Sequence, residues 1–533
     1  MTTTHEHYVQ QLLTRFDADP DRPAIVSRGV TLTAGQAAAA TRRAGAAMSA
    51  QGITRGAVVA ILTQPNTAAT LILRWAANLV GATAAHVRGI NAVTPDDELR
   101  LELQRAVVAD LGADLLAVDT ANLPRARALL ADMATRPALA ALGDAGPDAV
   151  DLTAGTAADV TVCPDLTDDD LAVITLTSGS GGDPKGVCWS FGVKNEMIRS
   201  AGSRSGESTF LITAPLTHSS GFGADDTLMT GGRVVLRDGF DARGVLRDIA
   251  EHRVTRVMLG APQVYALATH PDRPAADVSS LRELIYGGSP AAPSRLREAF
   301  EVFGPILIQV YGSTETGVIS MLLPDDHKDI GRCATVGRPL APSRLSVRNP
   351  ENGGEVPSGE TGEVWSAPAW LTSGYWHAPE LTARTIQDGW VRTGDLGRLD
   401  EGGYLHLSGR MSDVMKVKGI RIHPEDVERV LSEAPGVSQA AVCGVENADR
   451  VEQIYAVAVA LPGADVDSET LRRHVSEVLS DNHVPSVIDL WPQLPMVGTG
   501  KPDRAWLRAR ARAALGLDDA RTSKETAPIL QGS

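Results

Sequence analysis

Between Leu71 and Val87 the chain reads LILRWAANLVGATAAHV: apolar residues at helical spacing, a glycine stop, then a short apolar run of strand length. A run that short satisfies its buried backbone groups only by pairing in a sheet, with the neighbouring helix covering one face. The same order occurs upstream in TRRAGAAMSAQGITRGAVVAILT and downstream in GVLRDIAEHRVTRVMLG and SRLREAFEVFGPILIQVYGSTE. Repeated units of this kind predict layered α/β sheets, in which ligands gather at the C-terminal ends of the strands.

At 533 residues the chain exceeds one ordinary core, so more than one domain is expected. From about residue 340 the texture changes to RLSVRNPENGGEVPSGETGEVWSA, whose short strands and Gly, Pro and Asn turns predict a β-rich subdomain over about 340–408. A second change follows GDLGRLDEGGYLHLSGR. The expected fold class is therefore α/β: a large N-terminal domain over 1–410, made of layered α/β sheets with the β-rich subdomain, plus a small mobile α+β domain over 411–515. A hinge is expected near Arg410 to Asp413, and residues 516–533 read as a disordered tail.

The formal net charge of −15 and the pI near 5.3 disfavour general binding to nucleic acid or anionic membrane, so a polyanionic ligand needs a local basic site. The basic run RAWLRARARAAL (504–515) has helical spacing and reads as a solvated face. No apolar run approaches the roughly 20 residues that span a bilayer. The polar start MTTTHEHYVQQLLTRF lacks the apolar core of a signal peptide, and the four cysteines show no CxxC spacing. A cytoplasmic protein with buried, reduced cysteines is the expectation.

The stretch LTSGSGGDPKG (176–186) follows the strand-length run LAVITL directly. Consecutive backbone N–H groups in glycine turns form an anion-binding concavity, to which Thr177, Ser178 and Ser180 add hydroxyls and Lys185 a charge. Phosphate suits such a loop. A Walker A loop needs Gly-Lys-Ser/Thr at a helix start, whereas Pro184-Lys185-Gly186 discourages a helix there.

TSGSGGDPKG resembles the phosphate-binding signature of the adenylate-forming superfamily, which takes in acyl-CoA synthetases, aryl-CoA ligases, peptide-synthetase adenylation domains and luciferases. Further signatures follow in that family's order: PLTHSSG (215–221), YGGSP (286–290), VYGSTE (310–315), VGRP (336–339), GYW (374–376), WVRTGDLG (390–397), GRMSDVMKVKGIRIHPEDVE (409–428) and LPMVGTGKPDR (494–504). The resemblance spans roughly residues 10 to 515 and is closest to acyl- or aryl-CoA ligases. It implies attack of a carboxylate on the α-phosphate of ATP, giving an acyl-adenylate and pyrophosphate, followed by displacement of AMP by the thiol of coenzyme A.

By that resemblance Thr177, Ser178, Gly179, Ser180, Gly181 and Gly182 wrap the β- and γ-phosphates, with Lys185 beside them. Gly288, Ser289, Pro290, Tyr311, Gly312 and Ser313 line the adenine, and Gly288, Tyr311 and Gly312 also border the acyl pocket. Thr314 contacts the α-phosphate, Glu315 holds Mg2+, Asp395 takes the ribose hydroxyls, and Arg410 adds a ribose or phosphate contact. Lys501 is expected to bridge the acyl carboxylate and the α-phosphate. For the thiol step the small domain turns about Ser412 and brings Lys418 and Gly419 in place of Lys501. His218 gates the acyl or thiol tunnel, or is simply a packed loop histidine. Taken singly, Glu315, Asp395 and Lys501 read as solvated or turn residues; together in register they read as one site.

The chain departs from the family at Gly181 and Val497, where Thr or Ser is usual, at Ser412, where Asp or Lys is common, and in VCWSFG (187–192), which lacks the usual Thr-His. One missing hydroxyl contact costs on the order of 1–3 kcal/mol, which slows a reaction without removing its mechanism. PLTHSSGFGADDTLMTGG lacks the aspartate-bearing segment associated with α-amino recognition, so a non-amino carboxylic acid is expected. No carrier domain is expected after residue 515. The alternatives are a freestanding adenylation enzyme that loads a separate carrier protein, a specialised member that mainly transfers a supplied acyl-adenylate, and a non-catalytic nucleotide-binding regulator. The partners expected are a small carboxylic acid, with a carrier protein and a homodimer left open, and neither nucleic acid nor membrane.

Overall fold

The structure is a computed structural model that describes residues 6–89, 98–157, 160, 163, 165–178, 184–201, 208–417, 419–446, 452–461, 463–494, 496–497, 501–502 and 504–515. Its helix–strand units assemble into two large sheets. In one, the parallel strands Val150–Asp151, Ala138–Leu142, Leu115–Asp119, Val58–Leu62, Thr83–His86 and Leu171–Ser178 lie side by side in that order. Pro184–Ser190 and then Gly374–Tyr375 extend that sheet antiparallel. In the other, Pro23–Ser27, Arg233–Leu236, Thr209–Ile212, Arg256–Leu259, Glu283–Gly287 and Leu307–Ser313 run parallel, with antiparallel strands at both edges.

Helices Tyr8–Ala18, Ala68–Leu79 and Ser219–Met229 lie between the two sheets. Their Leu12, Phe16, Trp75 and Leu228 meet Val173 and Trp189 of one sheet and Phe210 and Val234 of the other in a single core. The outer faces are covered separately, Val107 and Leu129 over the first sheet and Val245 and Leu296 over the second. This is the layered α/β arrangement expected from the sequence. No helix among the described residues is long and apolar enough to cross a membrane.

Within the inter-sheet layer sits a buried charge cluster. The Asp225 carboxylate accepts from Arg74 Nη2 at 2.6 Å, Trp75 Nε1 at 2.9 Å and Lys194 Nζ at 2.9 Å, joining three helices. Lys194 Nζ also stands 4.1 Å from the centre of the Phe222 ring. Burial raises the Asp225 carboxyl, but Arg74 and Lys194 hold it below its ordinary value; burial lowers Lys194 to about 8. The cluster fixes helix Ser219–Met229, whose start carries the PLTHSSG segment.

The texture change near 340 is an antiparallel sheet of Arg344–Arg348, Gly362–Ala367, Trp390–Leu399, Ile386–Gln387 and Leu405–Arg410. Alternate residues of Trp390–Leu399 are buried, as a strand with one covered face requires. Beyond Arg410 comes the hairpin Met415–Val417 with Ile420–Ile422, then helix Pro424–Glu433 and the three-stranded sheet Val437–Glu446, Glu452–Ala460 and Val487–Trp491. Met415, Val427, Leu431, Val442, Ile454 and Leu471 form a core of their own here. Cys188, Cys333 and Cys443 are buried and Cys163 is half-buried; burial pushes the three buried thiols up, Cys188 to about 12.

The small C-terminal unit seats its first helix on strand Leu405–Arg410. Gly409 has φ +113, a conformation that strains any side chain, and a Cβ there would lie 2.1 Å from Oε2 of Glu425 and push that carboxyl aside. Oε1 of Glu425 accepts from Arg504 Nη2 at 3.1 Å, and the same guanidinium reaches Glu428 at 3.2 Å. Burial first, and the neighbouring Glu428 second, raise Glu425 to about 7 against the pull of Arg504.

Two outcomes follow from these clusters. Asp225→Ala leaves two cations buried without their carboxylate, and a loss of about 3–5 kcal/mol is expected in urea unfolding followed by tryptophan fluorescence. Glu425 binds its proton more tightly folded than unfolded, so its contribution is full below its ordinary value of 4.5 and is lost as pH rises to about 7. The wild-type stability curve should therefore fall relative to that of Glu425→Gln across this window, and parallel curves would contradict the assignment.

Candidate active site

The glycine-rich stretch lies on a β-hairpin. Strand Leu171–Ser178 runs two residues further than the apolar run alone indicates and pairs antiparallel with Pro184–Ser190, Thr177 opposite Lys185 and Ser178 opposite Pro184. Lys185 thus sits in a strand, not at a helix start, which separates this loop from a Walker A loop as its proline and glycine indicated. Gly179, Ser180, Gly181 and Gly182 lie outside the described residues. The Thr177 hydroxyl donates to the Lys185 carbonyl at 3.3 Å.

In the other sheet, Glu283–Gly287 and Leu307–Ser313 are parallel neighbours with Gly287 opposite Val310. The segments GGSP and YGSTE therefore leave the sheet at the same edge, the C-terminal one. Gly288 takes φ +80, and the Ser289 hydroxyl is buried with no protein partner among the described residues. Tyr311, Gly312 and Ser313 remain in the strand, and Thr314 to Thr316 form a tight turn into Gly317–Leu322. The Ser313 N–H donates to Thr316 Oγ1 at 3.0 Å and Glu315 N–H to Ser313 Oγ at 3.2 Å, so the turn's own hydroxyls hold its shape.

Two parts of the fold, the second large sheet and the β-rich subdomain, meet at Asp395. Its Oδ2 accepts from the Tyr311 phenol at 2.6 Å and its Oδ1 pairs with Arg410 Nε at 2.7 Å. Asp395 and Arg410 are also cross-strand partners in the β-rich subdomain, and the Asp395 N–H donates to Thr393 Oγ1 at 3.1 Å. Burial and then the Asp395 charge push the Tyr311 phenol well above its ordinary value, so it stays a proton donor at neutral pH. Glu315 has a matching partner: its Oε1 accepts from the Tyr375 phenol at 2.8 Å, and burial and Glu315 raise that phenol likewise. Oε2 of Glu315 makes no protein hydrogen bond among the described residues.

A hard divalent cation fits this donor set. Mg2+ takes few protein carboxylates and completes its shell with water and substrate phosphates, and half-buried Glu315 offers one carboxylate oxygen with no protein partner among the described residues. The one group of three metal-capable side chains among the described residues, Asp248, Glu251 and His252, has Asp248 paired to Arg237 at 2.8 Å.

His218 caps helix Ser219–Met229 with both ring nitrogens engaged. Nδ1 lies 2.9 Å from Thr217 Oγ1 and Nε2 lies 2.9 Å from the Leu176 carbonyl, so Nε2 carries the hydrogen and Nδ1 accepts. The ring thereby ties the PLTHSSG segment to the strand that leads into the glycine-rich loop. Ser412 lies in the single turn Met411–Asp413, where Arg508 pairs with Asp413 at 2.8 Å. Gly419, with φ +83, makes the turn between Met415–Val417 and Ile420–Ile422, and Lys418 lies outside the described residues. Lys501 is described only as backbone, pairing Val497 in a two-stranded ribbon.

Among the sequence-derived residues, Tyr311, Glu315, Asp395 and Arg410 come together. Tyr375 was missed as a partner: its motif was recognised, but nothing in a sequence states which carboxylate a tyrosine will reach. The Arg74–Asp225–Lys194 cluster left no sequence signal either, because its members lie far apart along the chain.

Known proteins share this architecture and its parts. The family description "AMP-binding enzyme" matches residues 13–376, and "AMP-binding enzyme C-terminal domain" matches residues 426–501. A medium/long-chain fatty-acid–CoA ligase, FadD8 of Mycobacterium tuberculosis, is 34% identical over 76% of this chain and 74% of its own length. A feruloyl-CoA synthase from an Amycolatopsis species is 31% identical over 93% of this chain and 97% of its own. Among solved structures, the amide bond synthetase McbA of Marinactinospora thermotolerans superposes with a TM-score of 0.83 at 34% identity, covering 95% of this chain and 99% of McbA. The chain belongs to the AMP-binding enzyme family and is an AMP-forming ligase of the acyl-CoA synthetase type that works on ATP with Mg2+.

Proposed function

We propose that this enzyme activates a non-amino carboxylic acid as its acyl-adenylate and passes the acyl group to coenzyme A. The observation that carries the reading is the meeting of Tyr311, Asp395 and Arg410 at the edge from which YGSTE leaves the sheet. Asp395, held by two donors, has its carboxylate fixed in direction, as recognition of a vicinal diol requires. Gly287 and Gly312 are set by packing at this edge: a Cβ at Gly287 would lie 2.3 Å from the Val310 carbonyl and one at Gly312 1.8 Å from the Gly317 carbonyl, so neither position admits a side chain. Carboxylate and triphosphate repel each other, so the site's work is neutralisation and alignment. Mg2+ supplies charge compensation on the phosphates when bound. Thr177, Ser178, Ser180 and Lys185 with the glycines at 179, 181 and 182 embrace the β- and γ-phosphates, Thr314 steadies the α-phosphate, and Lys501 joins the reacting carboxylate to it.

The acid's oxygen attacks the α-phosphorus and pyrophosphate leaves; the thiolate then attacks the acyl carbon and AMP leaves with that oxygen. The small domain over about 411–515 turns about Ser412 between the two steps and presents Lys418 and Gly419. A second reading is favoured by one finding: a solved structure 34% identical over nearly the whole chain is named an amide bond synthetase. In that case an amine takes the acyl group in place of the thiol.

Exchange of labelled pyrophosphate into ATP across a panel of aryl and alkyl acids identifies the acid, and no exchange with any acid overturns the reading. Coenzyme A, a carrier-bound thiol and a set of amines, each offered to the pre-formed adenylate, separate the acceptors; faster release of AMP with amines than with coenzyme A supports the second reading. Lys501→Ala is expected to slow pyrophosphate exchange by roughly 100- to 1,000-fold while leaving thioester formation from a supplied acyl-adenylate within about tenfold of wild type.

A further inference from the structure

We propose that Tyr375 is a positioning residue for the metal-facing acid: its phenol holds Glu315 in the orientation that receives the divalent cation accompanying ATP. This deepens the reading above and rests on Glu315 being that acid.

Tyr375 belongs to the short strand Gly374–Tyr375, which is laid against Pro184–Ser190 with Tyr375 opposite Val187 and Gly374 opposite Cys188. The attachment is made at several points. The Trp376 N–H donates to the Gly186 carbonyl at 2.8 Å and Thr372 Oγ1 to the Cys188 carbonyl at 2.6 Å, while the Tyr375 N–H donates to Thr382 Oγ1 of helix Pro379–Thr385 at 2.9 Å. Gly186 has no room for a side chain, since a Cβ would lie 2.7 Å from Ile174 Cγ2 and 3.1 Å from the Trp376 Cβ. Tyr375 is therefore mounted rigidly on the hairpin that carries Lys185.

Glu315 stands on a turn of the other sheet. The phenol-to-Oε1 hydrogen bond, 2.8 Å long, is thus a strut between the phosphate-loop hairpin and the acid, and among the described residues Oε2 has no protein donor. Arg410 is close enough for its charge to be felt by Tyr375 and for it to feel Glu315. A carboxylate released from the phenol has that guanidinium to turn to, and an ion pair formed there competes with the cation. Partners that orient a metal-binding carboxylate typically change metal affinity by about 10- to 100-fold when removed.

The test measures Mn2+ binding by electron paramagnetic resonance to the full-length enzyme with a non-hydrolysable ATP analogue, alongside the Mg2+ dependence of pyrophosphate exchange. Tyr375→Phe, Glu315→Gln and the double variant are compared, with thermal unfolding as the check on folding. Expected are about 10- to 100-fold weaker Mn2+ binding in Tyr375→Phe, recovery of most of kcat at saturating Mg2+, and no further loss when Tyr375→Phe is added to Glu315→Gln. Unchanged Mn2+ binding in Tyr375→Phe, with weakened binding in Glu315→Gln, overturns the positioning role and leaves the reading of Glu315 standing. Unchanged binding in both overturns that reading and this inference with it. If Tyr375→Phe fails to fold, Glu315→Asp, which withdraws the carboxylate from the phenol by one methylene, must weaken Mn2+ binding, and normal binding there overturns the proposal.

Discussion

The hydrogen bond from the Tyr311 phenol to Asp395, 2.6 Å long, is the contact on which the site's geometry depends. Tyr311 lies in strand Leu307–Ser313 of one large sheet, and Asp395 stands in the β-rich subdomain opposite Arg410. Neither carries out its part without the other's body in place. Glu315 and Tyr375 form a second join of the same chemical kind, between the turn after that strand and the phosphate-loop hairpin of the other sheet. In both, a half-buried tyrosine with a raised pKa donates to the acid it faces, so each carboxylate is held in one orientation. Three sheets that share few backbone hydrogen bonds are thereby brought to register at one cleft.

Behind the cleft, the buried Asp225 with its two cations gives the helical layer an ionic centre where most of the packing is apolar. Its members come from three helices, and one of them opens at His218, whose ring reaches the carbonyl of Leu176. A displaced helix would therefore be felt at the phosphate loop through a chain of named contacts. The small domain is attached differently. It meets Gly409 through the Glu425 carboxyl, whose Oε2 is buried with no hydrogen-bond partner among the described residues.

The layered α/β class, the change of texture near residue 340 and the onset of a separate core after Arg410 were legible because periodicity and turn residues are local properties of a chain. The nine motifs located Tyr311, Glu315, Asp395 and Arg410, and the structure brings these four together. Contacts between motifs were not legible. Tyr375 lies 60 positions from Glu315 in the chain, and their meeting depends on a short strand added to the far side of a hairpin. Glu425 against Gly409 was hidden for the same reason, since its burial depends on how one domain rests on another. Gly186 could have been read as the requirement of a close strand contact only once Trp376 was known to lie over it.

The central claim is that the acid is activated at the α-phosphorus of ATP inside this cleft. Acid labelled with 18O in both carboxylate positions tests it most directly in a single turnover, with the AMP product read by mass spectrometry. Adenylate formation followed by acyl transfer places one labelled oxygen in the AMP phosphate. AMP without label, or label recovered in inorganic phosphate beside ADP, would contradict the account.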